Sequence, residues 1–140
     1  MKRVYLGCAI TKVPPEYEVE FRSKISTIKK DLRIVGFEVI DFLSAIRQDG
    51  TEKEIYTHDI IDSVGSAEAM IAICDYPSLG LGYEMGTIIE KHGMPVLAVA
   101  HKDSIVTPLI RGITHPKFRF ERYENVSDIY GMFLRFMKEG

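Results

Sequence analysis

One glutamate stands among small and apolar residues in the segment CDYPSLGLGYEMG, residues 74–86. This residue is Glu84, and an ionised carboxylate of this kind can attack the anomeric carbon of a sugar or stabilise an oxocarbenium-like transition state. We expect a helix to begin near Gly80 to Gly82, which would place Glu84 in its first turn, where the helix dipole keeps a carboxylate ionised. The alternative is that Glu84 only complements the dipole of that helix.

The same segment offers hydrogen-bond donors for an anion. The hydroxyl of Ser78 and the backbone N–H groups of Gly80 and Gly82 precede or open the predicted helix, and such groups bind phosphates at helix N-termini. Glycines also permit close approach of a ligand to the backbone. Alternatively, Ser78 only caps the helix.

Strand and helix patterns alternate along the chain. Apolar residues 21, 25, 28 and 32 lie on one face of a predicted helix that begins at Glu18, and Gly36 follows as a stop signal. The predicted strands are RVYLGCAI, GFEVIDF, AEAMIAIC, PVLAVA and KFRFERY, and the other predicted helices are EKEIYTHDIIDSVG, GYEMGTIIEKHG and VSDIYGMFLRFMKE. This alternation predicts one α/β domain over residues 1–140, a flavodoxin-like or Rossmann-like three-layer sandwich with a five-stranded parallel sheet.

The strand order predicts where a ligand binds. With the order 2-1-3-4-5, the first and third strands flank the point where the winding reverses, and ligands bind outside their carboxyl ends. The two loops at that point are GCAITK and CDYPSLGLGYE. We therefore expect Gly7, Cys8 and Ile10 from the first loop to face the same ligand as Ser78 and Glu84 from the second.

Composition excludes several other classes of function. The chain has 140 residues, 46% of them hydrophobic, and a formal net charge of -2 with no block of like charge, so a nucleic acid or a membrane is not the expected partner. The expected partner is a small molecule.

The N-terminal apolar stretch is too short for a signal peptide, which predicts a cytoplasmic protein. Cys8 and Cys74 show no CxxC spacing and the histidines form no ligand pair, so we expect buried thiols, no metal and no cofactor.

Three segments together resemble a known family: HD at 58–59, PSLGLGYEMG at 77–86 and TPLIRG at 107–112. They are similar to the nucleoside 2-deoxyribosyltransferase superfamily, with the 2'-deoxynucleoside 5'-phosphate N-hydrolases as the closest branch. The resemblance implies that Glu84 is the nucleophile that takes the deoxyribosyl group.

The resemblance also implies roles for other residues. Asp59 would lie beside the nucleobase and assist its departure, with Asp62 as the alternative. His58 projects about 100° away from Asp59 on a helix, so helix geometry predicts a surface residue. Tyr5 would orient the Glu84 carboxylate by a phenol hydrogen bond, although a tyrosine on a central strand is as readily core. Thr107 matches a position at which the family supplies a serine from the neighbouring subunit, which implies a homodimer or a higher homo-oligomer.

The turn after the first strand departs from the family pattern. The phosphate-preferring hydrolases tend to have a Gly-Ser-Ile-Arg-like turn there, whereas this chain has Cys8-Ala9-Ile10-Thr11. An arginine would bind a phosphate in bidentate fashion, which Thr11 cannot do, and Lys12 offers only a point charge. We therefore expect only a modest preference for 5'-monophosphates over nucleosides.

The sequence thus predicts an N-glycoside hydrolase that cleaves the base from a (2'-deoxy)nucleoside 5'-monophosphate through a glycosyl-Glu84 intermediate. The alternatives are a deoxyribosyltransferase, in which a second base attacks the same intermediate, and a non-catalytic nucleotide-binding homologue. Asp75 follows the third strand, as the phosphoacceptor of a receiver domain would. A receiver domain is nevertheless excluded, because it also needs an acidic pair after the first strand and GCAIT supplies none.

Overall fold

The structure is a computed structural model that describes residues 2–9, 13–41, 51–56 and 65–139. Several residues weighed for the site from sequence lie outside the described residues: Ile10, Thr11, Lys12, His58, Asp59 and Asp62.

The described strands form one parallel sheet in the order β2-β1-β3-β4-β5. The strands are β1 Arg3–Cys8, β2 Glu38–Asp41, β3 Ala69–Ile73, β4 Val96–His101 and β5 Phe118–Tyr123. Every residue of β3 is buried, as expected for a parallel strand with helices on both faces. The α/β class and the order 2-1-3-4-5 predicted from the sequence are confirmed.

Helices connect and cover these strands. They are α1 Glu18–Ile34, α2 Glu52–Tyr56, α3 Leu79–Thr87, α4 Pro108–Arg111 and α5 Ile129–Glu139, with a π-helical turn at Ile88–His92 and 3-10 turns at Pro15–Tyr17 and Val126–Asp128. The buried residues of α1 are the four apolar residues that defined its predicted face, and Gly36 follows with a φ of +102°. Among the described helices, none combines the length and the apolar character needed to cross a membrane.

The sheet separates two hydrophobic cores. Val4, Leu6 and Cys8 of β1 belong to the core that α1 and α5 cover, whereas Tyr5 belongs to the core that α3 covers. Successive side chains of a strand point to opposite faces, so Tyr5 and Gly7 share the α3 face of the sheet. This alternation decides which residues of β1 can meet Glu84.

The helix α3 begins earlier than the sequence predicted. Ser78 is the N-cap of this helix and has an extended backbone, with φ -156° and ψ 123°. The backbone N–H of Leu81 donates a hydrogen bond to Ser78 Oγ. A serine hydroxyl that satisfies an early amide fixes the helix start more strongly than the glycines that follow. Leu79 is therefore the first helical residue, and Glu84 lies in the second turn.

Candidate active site

A buried hydrogen bond joins Glu84 on α3 to Tyr5 on β1. The Tyr5 hydroxyl donates to Glu84 Oε2. Tyr5 is 0% exposed and Glu84 is 8% exposed. A hydrogen bond from a neutral donor stabilises a carboxylate and fixes its orientation. The structure thus brings together two of the three side chains to which the sequence analysis gave catalytic roles, while the third, Asp59, lies outside the described residues.

Gly7 allows α3 to approach β1 closely. A Cβ atom built on Gly7 would lie 2.7 Å from Met70 Cε and 2.8 Å from Leu81 Cδ1. Leu81 is one helical turn before Glu84, so this contact sets the position of the helix that carries the carboxylate. Gly7 was predicted to contact substrate, but the space beside its Cα is filled by side chains of the protein itself.

The first-turn position expected for Glu84 is wrong. No acidic residue lies in the first turn of α3, because the helix begins at Leu79. The dipole effect falls off within the first turn, so it does not account for the charge of Glu84. The hydrogen bond from the Tyr5 hydroxyl is a contact that stabilises the Glu84 carboxylate instead of the helix dipole.

The N-terminal turn of α3 uses some of the donors that the sequence assigned to an anion. Leu81 N donates to Ser78 Oγ at 3.1 Å, and Gly82 N donates to Ser78 O at 3.2 Å. Among the described residues, the N–H groups of Leu79 and Gly80 have no acceptor. An anion at this helix end would therefore contact Leu79 N, Gly80 N and the Ser78 hydroxyl hydrogen, and not Gly82 N.

Ser78 and Thr107 line one cavity. Its volume is about 530 Å³, and it lies between the start of α3 and the segment that leads from β4 into α4. Thr107 caps α4 by accepting a hydrogen bond from Leu109 N at 3.4 Å. Most of the wall is apolar, contributed by residues that include Leu81, Met85 and Ile110. Glu84 and Tyr5 are not on the wall, so this cavity adjoins the Tyr5–Glu84 pair and does not contain it.

The two cysteines occupy opposite faces of the sheet. Cys8 packs in the core under α1, so it does not share the face on which Tyr5 meets Glu84, whereas Cys74 lies on the cavity wall. Burial, followed by the nearby charges of Asp41 and Glu84, raises the pKa of Cys8 to about 12. Burial and the charge of Asp75 raise the pKa of Cys74 to about 12. Both are neutral thiols at physiological pH, as predicted for buried cysteines.

A second buried carboxylate follows β3, and the sequence analysis gave it no role in the site. The side chain of Asp75 is 3% exposed. Asp75 Oδ1 accepts a hydrogen bond from His101 N at 2.9 Å, and Asp75 Oδ2 accepts one from the Tyr123 hydroxyl. Lys24 Nζ of α1 lies 3.4 Å from Oδ2. An acidic residue two positions after a fully buried strand was the available signal, because a buried charge requires partners.

The described residues contain no cluster of three or more histidine, cysteine, aspartate or glutamate side chains that could hold a metal ion.

Comparisons with known proteins give two relatives and a structural neighbour. The chain is 31% identical over 117 residues to a Thermofilum pendens protein provisionally named 2'-deoxynucleoside 5'-phosphate N-hydrolase 1, a match that covers 76% of this chain and 80% of that protein. A Methanococcoides burtonii protein of the same name is 40% identical over 65 residues, which cover 46% of this chain and 52% of that protein.

The solved structure of the CMP N-glycosidase BcmB of Clostridium botulinum has a TM-score of 0.70 and 20% identity to this chain, covering 96% of this chain and 99% of that one. At this identity the likeness shows a shared fold. No protein-family model matches the chain.

Proposed function

Because the chain belongs to the family of 2'-deoxynucleoside 5'-phosphate N-hydrolases, within the nucleoside 2-deoxyribosyltransferase superfamily, we propose that it hydrolyses the bond between base and sugar in nucleoside 5'-monophosphates. The observation that carries this proposal is the buried Tyr5–Glu84 pair on the face of the sheet under α3. It supplies an oriented carboxylate of the kind that attacks an anomeric carbon.

The proposed reaction proceeds in two steps. A Glu84 carboxylate oxygen forms a bond to the anomeric carbon, the bond from that carbon to the base nitrogen breaks, and its electron pair leaves with the base. A water molecule then attacks the anomeric carbon of the glycosyl-Glu84 ester, one of its protons passes to the released base, and the bond from that carbon to the Glu84 oxygen breaks to restore the carboxylate. The Tyr5 hydroxyl stays bound to the carboxylate and orients it for attack.

Departure of the base requires a proton or a hydrogen bond at the base. We assign this role to Asp59, with Asp62 as the alternative, by resemblance to the family. An acid is most important for bases that leave poorly. Substitution of Asp59 by asparagine should therefore slow cleavage most for the poorest leaving base, and the same result from Asp62→Asn alone would move the role to Asp62.

The 5'-phosphate is proposed to bind at the start of α3. Ser78 Oγ–H and the N–H groups of Leu79 and Gly80 support this placement, and Thr107 presents a second hydroxyl to the same cavity. All of these donors are neutral. Hydrogen bonds to a charged group contribute about 1.5–3 kcal/mol each, and an arginine pair contributes more, so the preference for monophosphates should be modest.

A homodimer is proposed as the active unit. Three large apolar side chains are almost fully solvent-exposed around the cavity and α4: Leu79 at 97%, Ile105 at 94% and Leu109 at 79%. We call these three residues the apolar rim. Exposed apolar clusters of this kind mark protein–protein contacts, and a second copy seated on the rim would approach Thr107 as well.

Base release from a panel of nucleosides and 5'-monophosphates tests the proposed function, with each substrate offered with and without a free acceptor base. We expect release of base into water with a modest advantage for the monophosphates. Base exchange that exceeds release would identify a transferase. No release from any member of the panel would contradict the proposal and favour a binding protein without catalysis.

A further inference from the structure

The Asp75 carboxylate joins the carboxyl ends of three neighbouring strands. It lies two residues after the end of β3, accepts a hydrogen bond from the backbone N–H of His101 at the end of β4, and accepts one from the Tyr123 hydroxyl at the end of β5. Lys24 Nζ lies 3.4 Å from Asp75 Oδ2 and 3.3 Å from the Tyr123 hydroxyl, which adds α1 to the same contact. We call Asp75, Lys24, His101 and Tyr123 the Asp75 cluster.

The contact between Asp75 and Tyr123 is buried, the contacts with Lys24 and His101 are half-buried, and the charges of Asp75 and Lys24 are complementary. Tyr123 is 1% exposed, and burial together with its hydrogen bond to Asp75 raises the Tyr123 pKa, so the phenol remains a neutral donor. The Tyr123 and His101 rings form a T-shaped pair, with centroids 5.6 Å apart. A buried carboxylate that meets a donor at each oxygen holds both donors in a fixed geometry.

Two of the three strands that Asp75 joins, β3 and β4, lead to a hydroxyl on the cavity wall. Asp75 is three residues before Ser78, and Tyr76 and Pro77 between them also line the cavity. On the other side, His101 begins the segment that ends at Thr107.

Arginine side chains bind backbone carbonyls along the segment from His101 to Thr107. Arg122 Nη1 donates to His101 O at 3.0 Å and to Ser104 O at 2.7 Å, and Arg111 Nε donates to Val106 O at 3.0 Å. A guanidinium that binds several carbonyls fixes a loop in one conformation. We therefore expect a shift of His101 relative to Asp75 to move Thr107 relative to Ser78.

We propose that Asp75 is a positioning residue that sets the spacing of the Ser78 and Thr107 hydroxyls and thereby the preference of the enzyme for 5'-monophosphates over nucleosides. This inference rests on the proposed function, and specifically on the phosphate site at Ser78. Asp75 touches neither the phosphate nor the reacting atoms. Its effect should therefore appear in KM for the monophosphate and leave the chemical step unchanged.

The test uses Tyr123→Phe and Asp75→Asn. Tyr123→Phe removes one hydroxyl from the cluster and keeps the ring in the core, and Asp75→Asn removes the charge but retains an acceptor for His101 N. The assay measures kcat and KM for one nucleoside and its 5'-monophosphate. We expect each substitution to raise KM for the monophosphate roughly tenfold, with kcat and the nucleoside kinetics nearly unchanged, because buried charge-assisted hydrogen bonds are lost.

Two further variants make the result decisive. Tyr130→Phe removes a hydroxyl from a half-buried ring on the same core, outside the Asp75 cluster, and should leave both substrates unaffected. Ser78→Ala reports on the phosphate site itself. If Ser78→Ala lowers the monophosphate preference but Tyr123→Phe and Asp75→Asn lower activity on both substrates equally or not at all, the positioning role is wrong. If Ser78→Ala leaves the preference intact, the proposed phosphate site fails and the positioning role fails with it.

Discussion

Tyr5 presents a phenol to the Glu84 carboxylate from a fully buried position on the central strand β1. A hydrogen bond to a charged group stabilises it by about 1.5–3 kcal/mol, and it also restricts the carboxylate to one orientation. A nucleophile needs both a charge and a direction of attack. At the scale of single residues, the proposed catalysis therefore depends on one hydroxyl and one carboxylate.

Removal of the Tyr5 hydroxyl should weaken catalysis without unfolding the protein. Tyr5→Phe keeps the ring in the core and deletes the donor, so we expect kcat/KM for base release to fall by roughly 10- to 100-fold. The circular dichroism spectrum should be unchanged. Tyr130→Phe is the matched control, and full activity of Tyr5→Phe would show that the hydrogen bond does not assist the reaction.

The buried thiols predict a second result at this scale. The pKa of Cys8 and of Cys74 is raised from 9.0 to about 12, so the thiolate fraction in the folded protein at pH 8 is lower than in the unfolded chain by roughly 1,000-fold. Iodoacetamide should therefore label both cysteines quickly in denaturant and very slowly in the folded protein. Comparable rates in the two states would contradict the burial of these thiols.

The same shifts make stability depend on alkaline pH. The folded state holds the thiol protons more tightly than the unfolded state, so this contribution is complete below pH 9 and is lost as the pH rises through about 12. Replacing Cys8 by alanine would remove its share of that dependence, which urea unfolding between pH 8 and pH 10 can measure.

At the scale of elements, the contact between α3 and β1 determines where Glu84 lies. The Leu81 side chain of α3 occupies the space that a side chain at Gly7 would need. Leu81 lies one helical turn before Glu84. The same helix is fixed at its start by the Ser78 cap. Two contacts in the first turn of α3 thus position a carboxylate in the second.

Substitution of Gly7 by alanine should displace α3. The added Cβ would lie 2.7 Å from Met70 and 2.8 Å from Leu81, and we expect a loss of about 1–3 kcal/mol in the free energy of unfolding together with lower base release. Gly131→Ala is the control, because its nearest neighbour would be a flexible arginine atom at 3.7 Å and alanine favours a helix. Equal stability of Gly7→Ala and wild type, measured by urea unfolding, would contradict the close approach.

The sequence predicted the elements of the fold better than the contacts between them. The α/β class and the buried face of α1 follow from alternation and spacing, which are local properties of the chain, whereas the strand order was assumed by analogy with flavodoxin-like sheets. The start of α3 was misplaced because a serine cap outweighs the conformational freedom of Gly80 and Gly82. The packing role of Gly7 and the contacts of Asp75 were not predicted, since they arise from side chains distant in sequence, such as Leu81 and Tyr123.

At the scale of the whole molecule, the apolar rim is proposed to bind a second copy of the chain. Leu79, Ile105 and Leu109 leave a large apolar area in water around the cavity and α4. Burying that area between two copies would favour association. It would also bring Thr107 of each copy to the interface, as the resemblance to the family implies.

A charge placed in the apolar rim should dissociate the dimer. Ile105 is 94% exposed, so Ile105→Lys should leave the monomer folded but place an unpaired ammonium in the interface. We expect the dissociation constant to rise at least about tenfold in sedimentation experiments. Val19→Lys on α1, where Val19 is 81% exposed, is the control. A dimer that survives Ile105→Lys would place the interface elsewhere.

Base release by Glu84→Gln most directly tests whether Glu84 is the nucleophile. Glutamine keeps the shape of the side chain and an acceptor for the Tyr5 hydroxyl, so the protein should fold, but its neutral amide cannot form the glycosyl ester. With the best substrate of the panel, we expect kcat to fall by at least about 1,000-fold, while Glu90→Gln, which changes an exposed carboxylate shortly after α3, retains wild-type activity. Near wild-type turnover by folded Glu84→Gln would contradict the role of Glu84 as the nucleophile.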